Sequence, residues 1–487
     1  MANIKHTLLE LKAKLDAGDL TSEGLVREYL DQIDRLNPTI HAFLYVAREE
    51  ALAQARILDQ ERAAGTLRGP LHGLPIALKD NMSVEGMQNT CASKFLEGYV
   101  APYDATIVKK LKEAGAVILG KLNMDEFAMG SSTEYSAYGD TKNPWSLDRI
   151  PGGSSGGSAA ALSAMMAPIT LGTDTGGSVR QPAAFNNLVG LKPTYGRISR
   201  YGITAFGSTL DQVGVFARDV RDCALMAGVL SGVDPMDSTT ADEPVPDYLA
   251  GLTADLSGIR LALPKSFLDG LKEPMKGLLL HTVEEYRALG ATVDEIDLTF
   301  AHNALAVYYI VASAEASSNL ARFDGIRYGR RAENPVSARD LYTRSRSEGF
   351  GEEVKRRIML GTYVLSAGFY DAYYNTALKV RTLIKEELRR VFTQYDAIIG
   401  PTTPTGPRRL GERSDNIIDE YLNDLYTVPA NIAGVPAIAF PMGFAEGIPM
   451  SCQLIGDYFS EPKLFQIAYA YEKAHDHITR YPEVATL

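Results

Sequence analysis

Two glycine-rich segments carry serines in a pattern suited to nucleophilic catalysis. Gly152-Gly153-Ser154-Ser155-Gly156-Gly157-Ser158 and Thr173-Asp174-Thr175-Gly176-Gly177-Ser178 are separated by an alanine-rich run and by the short β-like run Ile169-Thr170-Leu171. A glycine inside a helix or strand costs about 0.5–1 kcal/mol relative to alanine, so the first segment predicts a special backbone rather than regular structure. The second places Ser178 just beyond a predicted strand end. There the backbone N–H groups of Thr175, Gly176, Gly177 and Ser178 are candidates for an oxyanion hole beside a serine nucleophile. A lone Gly-Gly-Ser is ordinarily a turn or a linker. Two of them flanked by apolar runs lack linker composition, which leaves a catalytic or anion-binding site as the alternative.

A third candidate is a lysine. Gly73-Leu74-Pro75-Ile76-Ala77-Leu78-Lys79-Asp80-Asn81 ends an apolar run of strand length in Lys79. Burying an ammonium is costly, and the usual outcomes are a depressed pKa or a charged partner. Lys79 is therefore either a base or a side chain snorkelling at a strand end.

Other catalytic patterns fit less well. Gly152 to Gly156 satisfies the G-x-S-x-G nucleophile elbow, but no strand pattern precedes Ser154. The histidines that follow, His281, His302, His475 and His477, fall in or beside predicted helices. Ser460 to Lys463, a Ser-x-x-Lys, has Pro462 inside it at a predicted helix start. Gly115 to Lys121 imitates a phosphate loop, yet Leu122 stands where Ser or Thr is needed and the intervening residues are strand-like.

The elements that must position these residues alternate. Apolar spacing predicts helices over 8–17, 22–36 with Thr21 as cap and Pro38 following, and 48–64, so residues 1–65 form a helical N-terminal segment. Helix and strand signals then alternate. Helices are predicted within 104–115 and over 220–230, 275–289, 302–320, 351–366, 371–394 and 462–474. Strands are predicted at 116–119, 259–263, 291–297, 396–400, 436–441 and 450–455. Residues 190–211 read as turn-rich, and 231–257, with Pro235, Pro244 and Pro246 among acidic residues, as an exposed connection. Such alternation predicts an α/β fold with a large mixed sheet and helices on both faces.

Composition narrows the function. The 487 residues leave room for roughly two to four domains or one large α/β unit. With 45% hydrophobic and 22% charged residues the chain has globular composition. A net charge of −11 argues against a broad phosphate-binding surface. Cys91, Cys223 and Cys452 are widely spaced and show no metal-ligand pairing, which favours a reducing compartment. Without a signal-peptide pattern or a long apolar run, the expectation is a cytoplasmic protein with no membrane association.

Strand-borne Lys79, Gly-Gly-Ser-Ser-Gly-Gly and Thr-Asp-Thr-Gly-Gly-Ser-Val-Arg together resemble the amidase signature family, over nearly the whole chain. Leu-Asn-Met-Asp-Glu-Phe-Ala-Met-Gly-Ser-Ser (122–132) and Lys-Pro-Thr-Tyr-Gly-Arg (192–197) suit the family at large. Arg-Phe-Asp-Gly-Ile-Arg-Tyr-Gly (322–329), Glu-Val-Lys-Arg-Arg-Ile-Met-Leu-Gly-Thr (353–362) and Tyr-Asp-Ala-Tyr-Tyr (370–374) resemble its glutamine-hydrolysing members that serve aspartyl/glutamyl-tRNA amidotransferases. Departures at Asn186-Asn187 and Gly406-Pro407-Arg408 do not touch the catalytic candidates.

The resemblance implies one amidase domain over residues 1–487, with Ser178 as nucleophile, Ser154 as bridge behind a cis peptide, and Lys79 as base. It also implies an oxyanion hole from Thr175, Gly176, Gly177 and Ser178. Free glutamine carries a carboxylate and an ammonium; the resemblance points to Arg357 for the first, with Arg356 beside it, and to Asp424 for the second. Tyr308, Gly130 and Ser131 complete the implied pocket. No cofactor is implied in this chain. ATP and Mg2+ would be used by a partner within a heterotrimer of this chain with B and C subunits, and misacylated tRNA would be held through the partner. The alternatives are a stand-alone amidase acting on another small amide and a catalytically silent binding protein.

Overall fold

Short apolar runs that do not alternate become the interior strands of one sheet. The computed structural model describes residues 3–414 and 416–486. Among these residues the strands are β1 (Phe43–Val46), β2 (Pro75–Lys79), β3 (Val117–Leu122), β4 (Thr170–Asp174), β5 (Val189–Lys192), β6 (Gln212–Ala217), β7 (Arg260–Pro264), β8 (Thr292–Ile296), β9 (Ala397–Pro401), β10 (Ala437–Ala445) and β11 (Ile448–Gly456). They join in the order β1-β3-β2-β4-β6-β5-β10-β11-β9-β7-β8. β3, β2 and β4 run parallel, as do β9, β7 and β8. The strands between these groups pair antiparallel, and β1 lies antiparallel to β3. β2 to β6 and β9 are buried at every position, which requires cover on both faces and explains their uniformly apolar sequences.

The predicted long helices are present as Ser22–Ile40, Arg48–Ala63, Val220–Leu230, Met275–Ala288, Ala304–Asn319, Glu352–Val364, Thr376–Phe392 and Glu461–Lys473. Thr21 Oγ1 accepts the Gly24 N–H at 3.1 Å as the expected cap. Pro38 lies inside the last turn instead of following the helix, a position where a proline forfeits a single backbone hydrogen bond.

Four departures have local causes. The N-terminal segment read as helical also contributes β1, too short for a periodic signal and fixed by its pairing with β3. β5 and β6 lie at either end of the turn-rich tract, and a Cβ at Gly214 would sit 2.5 Å from the Leu191 carbonyl, so close strand approach demands the glycine. The helix Ala338–Gly349 is mostly polar and buries only Leu341, Ser345 and Gly349, leaving little apolar spacing to detect. Gly156 and Gly157, predicted in irregular backbone, open the helix Gly156–Ser163; a Cβ at Gly157 would fall 2.4 Å from the Asn123 carbonyl oxygen. Residues 231–257 expose Val233 and Met236 and are tied down by Arg197, which donates to Tyr248 Oη and to the Glu243 and Pro244 carbonyls.

Because β2 and β4 are parallel neighbours, their C-terminal residues Lys79 and Asp174 arrive at the same edge of the sheet. Ligand sites of open α/β sheets gather at such carboxyl ends.

Candidate active site

Lys79, the last residue of β2, is 0% exposed, which excludes a snorkelling ammonium. Its Nζ lies 2.8 Å from Ser154 Oγ, 2.8 Å from Ser155 Oγ and 3.0 Å from Thr173 Oγ1. Asn81 Nδ2 donates to the same threonine oxygen at 3.1 Å. Burial pushes the Lys79 pKa down to about 7, against the pull of the Asp125, Asp174 and Asp211 carboxylates. Two other lysines are equally deep but differently engaged. Lys121 Nζ pairs with Asp80 Oδ1 at 3.1 Å, and Lys192 Nζ donates to the Pro193 carbonyl at 2.7 Å. Lys79 is the member of this trio that faces hydroxyls.

The Gly153–Ser154 peptide is cis. Around it, Gln181 Oε1 accepts the Gly153 N–H at 2.9 Å, Thr133 Oγ1 donates to the Gly152 carbonyl at 2.8 Å, and the Asp125 N–H donates to the Ser154 carbonyl at 3.1 Å. Gly130 and Ser131 wrap the Asp125 side of this segment. A Cβ at Gly130 would sit 2.5 Å from Asp125 Cγ, and the Ser131 carbonyl accepts Gln181 Nε2 at 2.9 Å. Burial pushes the Asp125 carboxyl up to about 7, although it accepts the Ser132 and Tyr135 N–H groups.

Ser178 joins the cluster through its carbonyl, which accepts the Ser155 N–H at 3.3 Å. It is 8% exposed whereas Ser154 and Ser155 are 0%, so Ser178 is the member of the three that a small molecule can reach. Asp174 organises the loop between β4 and Ser178. Burial acts to raise its pKa, but Arg180, bound through Nε and Nη2 at 3.2 Å each, and Asn431 hold it at about 2. Arg180 also donates to the Thr427 carbonyl at 3.0 Å, Gln453 Oε1 at 2.9 Å and Asn431 Oδ1 at 2.6 Å. One of the four expected oxyanion donors requires correction. The Gly177 N–H is taken by Asp174 Oδ1 at 2.9 Å, because the carboxylate lies under the turn, and this leaves Thr175, Gly176 and Ser178.

Gly176 and Gly177 bring the nucleophile loop against the pocket. A Cβ at Gly176 would be 2.5 Å from the Tyr308 ring, and one at Gly177, where φ is +131°, would be 2.3 Å from Thr427 Oγ1. That threonine hydroxyl lies 2.6 Å from the Gly176 carbonyl and 3.1 Å from the Asp424 carbonyl, which connects the Asp424 turn to the loop. Tyr308 and Tyr309 are adjacent on the helix Ala304–Asn319, and Tyr309 Oη donates to Asp424 Oδ2 at 2.8 Å. Burial pushes Asp424 up to about 7, with Tyr309 and Arg357 pulling the other way.

Arg357, one turn into the helix Glu352–Val364, is buried and receives Glu353 Oε1 on its Nε at 2.6 Å. Its guanidinium carbon lies 4.4 Å and 4.8 Å from the ring centroids of Tyr309 and Tyr421, and its Nη1 is buried without a partner. Arg356 points instead to the helix surface and pairs with Glu352 and Glu353. Of the two adjacent arginines, Arg357 is thus the one that faces the recess. The sequence did not point to Glu353, Tyr309, Tyr421, Ser155, Thr173 or Asp125. Glu353 and Arg357 form an i,i+4 acid–base pair, a signal present in the sequence. Tyr421 and Thr173 meet their partners only through the tertiary fold.

The assembled site places a buried low-pKa lysine on serine hydroxyls, beside a reachable serine and a recess holding one cation and one anion. Comparison with known proteins follows the same lines. A family model described as Amidase matches residues 24–465. The first of two numbered A subunits of glutamyl-tRNA(Gln) amidotransferase in Clostridium acetobutylicum is 56% identical over 473 residues, which is 96% of this chain and 98% of that protein. The corresponding A subunit of Clostridium botulinum (strain Alaska E43 / Type E3) is 55% identical over 466 residues, 96% of each chain. Among solved structures, the A subunit of glutamyl-tRNA(Gln) amidotransferase from Thermotoga maritima superposes with a TM-score of 0.83 at 41% identity, covering 99% of this chain and 98% of that one. Native peptide amidase from Stenotrophomonas maltophilia gives 0.82 at 32% identity over 96% of each chain.

Proposed function

Because this chain belongs to the amidase signature family, we propose that it is the glutaminase subunit of a glutamyl-tRNA(Gln) amidotransferase. It hydrolyses the side-chain amide of glutamine and supplies the ammonia for amidation of Glu-tRNA(Gln), with Asp-tRNA(Asn) as a further acceptor. The observation that carries this reading is the contact of Lys79 Nζ with Ser154 Oγ at 2.8 Å, beside reachable Ser178 and a recess with separate cationic and anionic groups.

Neutral Lys79 takes the Ser154 proton while Ser154 takes that of Ser178, whose Oγ attacks the amide carbon. The N–H groups of Thr175, Gly176 and Ser178 stabilise the oxyanion, a contribution typically worth about 10²–10³ in rate per donor. The proton returns through Ser154 to the leaving nitrogen, and ammonia departs from an acyl-enzyme on Ser178. Water, activated by the same relay, releases glutamate. Arg357 grips the substrate carboxylate and Asp424 its ammonium, with Tyr308 lining the recess. Gly130 and Ser131 form the wall beside Ser154. In the proposed heterotrimer ATP, Mg2+ and the misacylated tRNA are held by the partner B and C subunits. Among the described residues no group of three or more His, Cys, Asp or Glu side chains is placed to hold a metal ion, and no helix is long and apolar enough to cross a membrane.

The test is to trap the enzyme with an electrophilic glutamine analogue and map the modified peptide. Label on Ser178, with glutamine hydrolysis abolished in Ser178→Ala, is the expected outcome. Label on Ser154 or Ser155 would return the site to an elbow-type nucleophile. Faster turnover of simple aliphatic amides than of glutamine would instead make it a stand-alone amidase.

A further inference from the structure

Arg357 and Asp424 share one recess, close enough for the guanidinium to pull the carboxyl down, yet among the described residues they form no ion pair. Opposite charges in a low-dielectric pocket attract strongly. A direct pair between them would close the recess and neutralise both anchors. The structure gives each a different partner. Glu353, only 2% exposed, holds Arg357 Nε with Oε1 at 2.6 Å, and the same oxygen accepts Tyr421 Oη at 3.1 Å. The other oxygen of Glu353 takes Arg356. Asp424 is held by Tyr309 Oη at 2.8 Å. The Tyr309 and Tyr421 rings stack with centroids 3.8 Å apart, so the two holding groups brace one another. Gripped along its Nε edge and against these rings, the guanidinium is left with a buried, unpartnered Nη1.

We propose that Glu353, braced by Tyr421 and working with Tyr309, is the specificity-determining positioning residue of the pocket. It locks Arg357 by its Nε edge, keeps that cation from folding onto Asp424, and leaves the remaining guanidinium edge open to an α-carboxylate. One acid and two arginines sum to a single net positive charge at this end of the recess, matched by the single acid Asp424 at the other. The substrate class so selected is the ω-amide of a free α-amino acid. The inference rests on the assignment of Arg357 and Asp424 as the glutamine anchors.

The experiment compares kcat/KM for glutamine with kcat/KM for propionamide, which lacks both α-groups, in the full-length chain and its variants. Glu353→Gln is expected to lower the glutamine-to-propionamide ratio at least tenfold, through KM for glutamine more than through kcat. Tyr309→Phe, which removes a hydroxyl and no charge, is expected to move the ratio in the same direction and serves as the test if Glu353→Gln does not fold. Arg357→Met is the reference. If Arg357→Met lowers the ratio while Glu353→Gln and Tyr309→Phe stay within twofold of the parent, positioning by Glu353 is wrong and the anchor assignment stands. If Arg357→Met also leaves the ratio unchanged, the anchor assignment fails and the inference falls with it. Parallel loss on both substrates in the folded variants marks a merely structural residue and likewise overturns it.

Discussion

At the scale of single residues, two buried groups share a pKa near 7 with opposite chemistry. Lys79 is lowered to about 7 and Asp424 raised to about 7, each chiefly by burial. Burial disfavours whichever form is charged, so the lysine is neutral above that value and the aspartate ionised above it. Both active forms therefore exist on the alkaline side and are lost as pH falls through about 7. Since kcat/KM reports the free enzyme, its logarithm for glutamine is expected to fall with a slope approaching two below pH 7. For propionamide, which has no ammonium for Asp424 to receive, a slope of one is expected. Equal slopes in a pH–rate series would remove Asp424 from recognition while keeping Lys79 as base. Lys79→Ala, measured at pH 8, is expected to lose about 10²–10⁴-fold, the usual worth of a general base.

At the scale of elements, the loop from β4 to the helix Arg180–Phe185 is held by one ion pair in contact with segments from the far end of the chain. Removing one partner of a buried pair leaves an uncompensated charge and costs about 3–5 kcal/mol. Arg180→Met should show that loss in urea unfolding at pH 7. Asp174 sits at about 2 in the folded state, below its ordinary 3.8, so its contribution is complete above that value and disappears as pH falls toward 2. The deficit of the variant should accordingly narrow over that range; a constant deficit would mean that Arg180 stabilises by packing alone. This element also shows where reading from sequence stops. Lys79, Ser154 and Ser178 stand out because an apolar run, a glycine cluster and a strand end each break a local rule. Asn431, Gln453 and Thr427, which complete the Asp174 and Arg180 network, break no local rule, and only the sheet order brings them there. The long amphipathic helices were likewise readable from apolar spacing, whereas the buried β5 and β6 were not, having no alternation to reveal them.

At the scale of the whole molecule, the net charge of −11 supports a division of labour in which a partner holds the nucleic acid. Hydrolysis of free glutamine without an acceptor would be wasteful, so the isolated chain is expected to hydrolyse glutamine slowly and to bind tRNA weakly. Addition of partner subunits, charged tRNA and ATP should raise its glutaminase rate, measured as ammonia released; a rate indifferent to them would detach this chain from any complex. The pairing of β5 with β10 carries a consequence of another kind. About 245 residues separate these neighbours, and a ribosome adding about 5–20 residues per second needs roughly 12–50 s to deliver the second after the first. Throughout that interval a nascent chain already contains Lys79, Ser154 and Ser178 but not Thr427, Asn431 or Gln453. The emerging polypeptide is therefore hydrolytically silent until synthesis is nearly complete, and its bare β5 edge is the place where a chaperone would be needed meanwhile.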